Sequence, residues 1–146
     1  MSSVIEAIVW KDNRIVLLDQ TQIPVSENYI SYDELAPYID AIQRLVVRGA
    51  PALGVAGAYG VVLVIDEAAR KGHSASELEH NLDLLRDARP TAVNLAWAVE
   101  KIRKHLPEGR DAVLAAAHQL ASEDKQSSTD MGNIGADWLI KKLGTK

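Results

Sequence analysis

Residues 48–60 read Arg48-Gly49-Ala50-Pro51-Ala52-Leu53-Gly54-Val55-Ala56-Gly57-Ala58-Tyr59-Gly60, and the apolar run continues until Lys71 and Gly72. Pro51 suits the first helical position, where a missing N–H is no loss, and Gly72 suits a left-handed stop. The stretch therefore predicts one long helix from Pro51 to about Lys71. Gly54, Gly57 and Gly60 recur every third residue inside it, and each costs about 1 kcal/mol relative to Ala in a helix interior. Close helix–helix contact along a smooth face, with Ala52, Ala56 and Ala58, is the expected compensation. No strand of the dinucleotide-binding kind precedes these glycines, so a nucleotide loop is rejected. The most apolar part, about 16 residues from Ala50 to Ile65, is rich in Gly and Ala and falls short of the ~20 strongly apolar residues of a membrane span.

Upstream, the pattern is extended. Val4 to Trp10 and Arg14 to Leu18 are rich in β-branched residues, and Lys11-Asp12-Asn13 between them supplies hairpin turn chemistry. A third short strand is expected at Tyr29-Ile30-Ser31. Leu35, Tyr38, Ile39, Ile42, Leu45 and Val46 then recur at helical steps. Ser31 and Glu34 have the form of a capping box, and Pro37 places the helix start near Asp33 or kinks the helix there.

Downstream, Ser74 and Glu77 form a second capping-box candidate, with Leu78, Leu82 and Leu85 on one face. A further helix is expected after Pro90, carrying Leu95, Val99, Ile102 and Leu106 inward. One or two more lie between Arg110 and Leu143. The fold class is α+β and mostly helical: a small N-terminal antiparallel β-sheet (residues 1–31) followed by a bundle of about five helices (residues 32–146), read as a single domain.

Composition narrows the function classes. With 146 residues, 47% hydrophobic and 25% charged, the chain can bury one core. A formal net charge of −4 without any Lys/Arg-rich run offers nothing for counterion release, so nucleic acid is not an expected partner. The absence of cysteine excludes disulfides, thiolate metal sites and a cysteine nucleophile within these residues. His73, His80, His105 and His118 fall at no metal-ligand spacing and are read as surface residues, and Glu123-Asp124 as a solvated face. Trp10, Trp97 and Trp138 are read as core or interface anchors. No signal peptide is visible at Met1-Ser2-Ser3, which makes a soluble cytoplasmic protein the expectation.

Two junctions could carry chemistry. In Arg48-Gly49-Ala50-Pro51, small residues let a ligand approach the unpaired N–H groups of a first helical turn, and the Arg48 fork can hold two phosphate oxygens. Arg89-Pro90-Thr91-Ala92-Val93-Asn94 repeats the design, with Thr91 able to cap the helix or offer its hydroxyl to a ligand. Two arginines at helix N-termini would form a two-sided clamp on a phosphate monoester. The same spacings also suit plain helix junctions with both arginines solvated.

Residues 48–60 resemble methylthioribose-1-phosphate isomerases of methionine salvage, and Arg89-Pro90-Thr91-Ala92-Val93-Asn94-Leu95-Ala96-Trp97-Ala98 matches a second motif of that family. Ile8-Val9-Trp10, Leu17-Leu18-Asp19-Gln20 and Ile23-Pro24 are similar to its opening, and Glu123-Asp124 with Ile134-Gly135-Ala136 to a later helical stretch. Relatives of the same architecture include regulatory subunits of the translation initiation factor 2B type. The resemblance implies that Arg48, Gly49, Ala50 and Arg89 hold a sugar phosphate, that no cofactor is needed, and that the catalytic cysteine and aspartate belong to a C-terminal Rossmann-like domain absent from these residues. It implies no catalytic residue here. The chain is expected to be inactive alone and to pair as a homo-oligomer or with a companion chain carrying the other half. An apolar patch around Trp138, Leu139 and Ile140 would mark that junction. The alternative is a non-catalytic regulatory or assembly subunit sensing a sugar phosphate or nucleotide.

Overall fold

The computed structural model describes residues 7–19, 21, 25, 28–44, 46 and 49–123. Strands β1 (Ile8–Lys11), β2 (Arg14–Leu18) and β3 (Tyr29–Tyr32) form an antiparallel sheet in that order. Lys11 pairs with Arg14, so Asp12 and Asn13 alone make the β1–β2 turn, both at positive φ (53° and 59°). This is the two-residue hairpin loop whose twist suits the flanking strands, and Asp and Asn are the non-glycine residues that best tolerate it. Asn13 is tied down as well: the Arg110 guanidinium donates to its Oδ1 at 2.8 Å and to both oxygens of Asp66.

Among the described residues, five helices follow the sheet: α1 (Leu35–Gln43), α2 (Ala50–Lys71), α3 (Ala75–Arg86), α4 (Val93–Arg103), and α5, helical over 110–123. A short 3-10 turn, Leu106–Glu108, precedes α5. Helix α2 is the axis around which the others pack. It is long and apolar enough to cross a membrane by length and composition, but 72% of its apolar window is buried inside this fold, as befits a core helix.

α2 begins and ends where its sequence directs: Pro51 lies in the first turn, and Gly72 stops the helix at φ 69°. The Ser74–Glu77 cap of α3 also forms, the Glu77 amide donating to Ser74 Oγ at 3.1 Å. Two other expected starts move. Ser31 lies in β3 and caps nothing; the residue before α1 is Glu34, and no side chain of its own segment caps that end. The cap comes instead from α2, where Glu67, only 5% exposed, accepts from the Leu35 amide at 3.3 Å and from Lys71 Nζ at 2.8 Å. Pro37 is then the third helical residue, inside the first turn where its missing N–H goes unnoticed.

Pro90 does not open α4. The Ala92 amide donates to the Arg89 carbonyl at 2.9 Å, closing Arg89–Ala92 as a turn with proline in its second place, and the helix starts three residues after Pro90, at Val93. A proline ring fits that turn position as well as it fits a helix start, because both ask for φ near −65°.

The core draws on every element. Ile15 and Leu17 from the sheet, Tyr38 and Ile42 from α1, Val61 and Val62 from α2, Leu82 and Leu85 from α3, Leu95, Val99 and Ile102 from α4, and Val113 from α5 are all buried. Each such side chain contributes on the order of 1.5–3 kcal/mol. Trp10 stacks on Tyr59 of α2 with ring centroids 5.8 Å apart, seating the sheet on the central helix. The glycine stripe explains how the helices come so close. A Cβ on Gly57 would lie 2.9 Å from the Leu95 carbonyl oxygen, and one on Gly60 2.7 Å from Leu85 Cδ2, whereas Gly54 meets Asn94 only at 3.8 Å.

Candidate functional site

Contacts between α2 and α4 rise together along the two sequences: Gly54 faces Asn94, and Gly57 faces Leu95 and Val99. The helices therefore run in the same sense. Two short reversals, at Gly72–Ser74 and at residues 87–92, require this, because α3 returns antiparallel and α4 turns again. As a result the N-terminal ends of α2 and α4 lie side by side. Each end carries partial positive charge and amides without an intrahelical acceptor. Among the described residues, no side chain caps either one.

Between them is a cleft of about 420 Å³ lined by Gly49, Ala50, Leu53, Arg89, Thr91, Ala92, Val93 and Asn94. Gly49 holds φ 97°, a conformation that side chains rarely adopt, and a Cβ there would meet nothing within 4 Å, so its backbone faces open space. Pro51 removes one donor of the first turn, leaving the Gly49 and Ala50 amides nearest the cleft. The loop bearing Arg89 is held from behind: Leu85 and Ala88 are buried, and Gln43 Nε2 donates to the Ala88 carbonyl at 3.3 Å.

Arg89 differs from every other arginine among the described residues. Arg14, Arg44, Arg86, Arg103 and Arg110 have carboxylate partners, and Arg70 donates to the Asp33 carbonyl. Arg103 in particular bridges Asp83, Glu100 and Glu79, holding the Asp83 carboxyl below its usual range. The Arg89 guanidinium, half-buried on the cleft wall, has no hydrogen-bond or ion-pair partner among the described residues. An unpaired guanidinium beside two helix N-termini concentrates positive potential, with no carboxylate among the described residues of the lining.

Of the four residues singled out from sequence, the cleft joins Gly49, Ala50 and Arg89; Arg48 lies outside the described residues. Thr91 does not cap α4, since the cap position is Ala92, and its hydroxyl has no partner among the described residues. Leu53 and Asn94 were not foreseen as lining residues; only their places within the first four residues of α2 and α4 could have indicated it. The surface reading of the histidines holds in part. His73 is 20% exposed, with its Nδ1 buried and without a partner among the described residues, whereas His118 is exposed, its Nδ1 meeting the Tyr59 hydroxyl at 2.9 Å. Trp10 is an anchor, but Trp97 is 54% exposed on α4 next to Val93 at 76%. Trp138, Leu139, Ile140 and Asp124 lie outside the described residues.

Comparison with known proteins adds to this geometry. The chain is similar to the methylthioribose-1-phosphate isomerase of Pseudomonas fluorescens (strain Pf0-1), 37% identical over an alignment of 147 positions that covers 96% of this chain and 41% of that protein. The enzyme of the same name from Azotobacter vinelandii is 36% identical over 97% of this chain and 41% of its own length. The chain thus spans about two fifths of the curated relatives it matches. Among solved structures, the translation initiation factor eIF-2B subunit delta from A. fulgidus superposes with a TM-score of 0.66 at 36% identity, over 85% of this chain and 37% of that one. The 5-methylthioribose 1-phosphate isomerase of Pyrococcus horikoshii OT3 superposes at 0.62 over 86% of this chain and 36% of its own, and at 24% identity shows the shared fold. A family model, the initiation factor 2 subunit family, matches residues 46–143 and so takes in both walls of the Arg89 cleft. The family-model match and the shared fold lead to one conclusion: this chain belongs to the initiation factor 2 subunit family.

Proposed function

We propose that this chain is the substrate-phosphate-binding part of an aldose–ketose isomerase acting on 5-methylthioribose 1-phosphate, in methionine salvage. The observation that carries the reading is the unpaired Arg89 facing a cleft built on two helix N-termini. A phosphate dianion would neutralise both helix ends and accept from the guanidinium and the Gly49 and Ala50 amides at once. Arg48, directly before Gly49 in sequence, would supply the second arginine. The names of the most similar curated relatives support the choice of sugar phosphate.

Isomerisation moves a proton between adjacent carbons and needs an acid/base pair placed over the sugar. Among the described residues, the lining of the cleft offers no carboxylate, histidine or cysteine for that work. The chain therefore binds and orients, and turnover needs a partner contributing the proton-transfer groups, either a companion chain or the remainder of a longer protein, in the cytoplasm. Calorimetric titration with methylthioribose 1-phosphate tests the reading. The parent should bind, Arg89→Ala should weaken binding at least tenfold, and Arg48→Ala with Arg89→Ala should abolish it. Absence of binding by the parent, or unchanged affinity in Arg89→Ala, would remove the phosphate reading.

A second reading has its own support. The similarity to an initiation factor subunit, at 36% identity, favours a non-catalytic subunit that uses the same cleft to sense a sugar phosphate or nucleotide. Turnover restored by a chain carrying a cysteine–aspartate pair decides for the isomerase; co-purification with translation factors decides for the subunit.

A further inference from the structure

We propose that the stretch from Met131 to Leu143 of this same chain folds back onto a depression between α2, α4 and the end of α5, and covers Val93 and Trp97. The depression, about 460 Å³, is walled by Pro51 and Gly54 of α2, Val93 and Trp97 of α4, and Leu120 and Glu123 of α5. The proposal does not depend on what the Arg89 cleft binds.

Helix α4 carries two apolar faces. Leu95, Val99 and Ile102 point into the core. Val93 and Trp97, four residues apart and therefore on one side of the helix, lie on the opposite face and are 76% and 54% exposed. Lys101 Nζ sits 4.9 Å from the Trp97 ring centroid and still leaves the indole open. A surface helix needs one apolar stripe, with polar residues opposite it. Single exposed apolar side chains are ordinary, but two on one helix face beside an apolar hollow mark a surface that another segment covers.

The depression itself indicates which segment. Glu123, in its wall, is the last described residue of α5, so the chain continues from the rim. The direction of α5 fits: Arg110 at its start is bonded to Asp66 in the second half of α2, whereas Glu123 shares the depression with Pro51 and Gly54 at the start of α2. Straight continuation would carry the chain off the bundle, and a reversal lays it over Val93 and Trp97. Gln126-Ser127-Ser128-Thr129-Asp130 follows at once, rich in residues that break one helix and cap the next. Beyond it, Met131, Ile134 and Trp138 recur at steps of three and four, the spacing of an apolar helical stripe, with Leu139 and Ile140 adjoining. The family model runs through residue 143, so wall and segment belong to one matched unit. Val93 also lines the Arg89 cleft, so the docked segment borders that cleft.

The test uses the full chain, which has no cysteine of its own. Val93→Cys is combined in turn with Ile134→Cys and Leu139→Cys. As control, Leu84→Cys, 45% exposed in a different depression on α3, is combined with the same two. A disulfide closes only where Cα atoms come within about 7 Å. In dilute protein with oxidised glutathione, at least one Val93→Cys pair should close within a single chain about tenfold faster than its Leu84→Cys counterpart, read by non-reducing electrophoresis and peptide mapping. Equal rates in the two sets overturn the proposal. Bridges from Val93→Cys to a second chain overturn it in favour of a second copy as the occupant. A single-cysteine measurement covers a pair whose geometry closes poorly. The Val93→Cys thiol should react with a thiol reagent roughly tenfold more slowly than Leu84→Cys, and Trp138→Ser should remove that protection. A Val93→Cys thiol as reactive as Leu84→Cys, or protection unchanged by Trp138→Ser, overturns the docking.

Discussion

Gly57 and Gly54 lie three residues apart on one face of α2 and predict opposite outcomes for the same substitution. A methyl on Gly57 would sit 2.9 Å from the Leu95 carbonyl oxygen, 3.1 Å from Leu95 Cδ1 and 3.2 Å from Val99 Cγ2. The nearest of these is backbone of a buried helix and cannot rotate away, so α4 must shift. Overpacking of this kind costs about 1–3 kcal/mol, and a backbone clash belongs at the upper end. Removing a helix-interior glycine returns about 1 kcal/mol, leaving Gly57→Ala destabilised by about 2 kcal/mol. A methyl on Gly54 meets nothing closer than 3.8 Å, so Gly54→Ala keeps the propensity gain and is stabilised by up to about 1 kcal/mol. Urea unfolding followed by far-UV circular dichroism measures both. With a slope of about 1.5 kcal/mol/M, the Gly57→Ala midpoint should fall by about 1.3 M and the Gly54→Ala midpoint should rise. A Gly57→Ala midpoint at or above the parent's would refute the claim that close α2–α4 contact is what the glycine stripe provides.

Two predictions concern pH. The Arg103 guanidinium, hydrogen-bonded to Asp83, depresses that carboxyl, so its contribution is present above the unfolded value of about 3.9 and is lost as pH falls through the lower folded value. Arg103→Ala should therefore shift the acid unfolding limb upward in pH, by a small amount because Asp83 is 45% exposed; acid titration of circular dichroism reads it. Tyr38 is fully buried with its hydroxyl donating to the Ala56 carbonyl at 2.6 Å, and burial raises its pKa. Above about pH 10 the unfolded phenol ionises while the folded one keeps its proton, so stability declines as pH rises. Tyr38→Phe should lose about 1 kcal/mol at neutral pH and flatten part of the alkaline limb, measured as thermal unfolding against pH.

The elements themselves were legible wherever the signal was local. Asp12 and Asn13 alone specify the hairpin turn, Pro51 and Gly72 bracket α2, and Ser74 with Glu77 starts α3. Misplaced starts arose where local chemistry was ambiguous or the partner was distant. Pro90 fits a turn and a helix start equally well, and only the Ala92–Arg89 hydrogen bond decides between them. The Ser31–Glu34 pattern looked like a cap, but the strand register claims Ser31, paired with Val16, and a carboxylate 32 residues beyond Leu35 does the capping.

The candidate site divides the same way. Residue types and spacing in the two arginine-proline junctions were enough to mark both as places where an anion could approach helix amides. That information is local: a small residue, a proline and an arginine define what a single helix end can offer. That the two ends belong to one cleft, that α2 and α4 run in the same sense, and that the guanidinium of Arg89 alone among the described arginines is left without a partner among the described residues were decided by packing. Gly57 lets the Leu95 backbone come close and α3 reverses the chain once between the two helices, and these long-range contacts, written in no short stretch of sequence, bring Gly49 and Arg89 to the same wall.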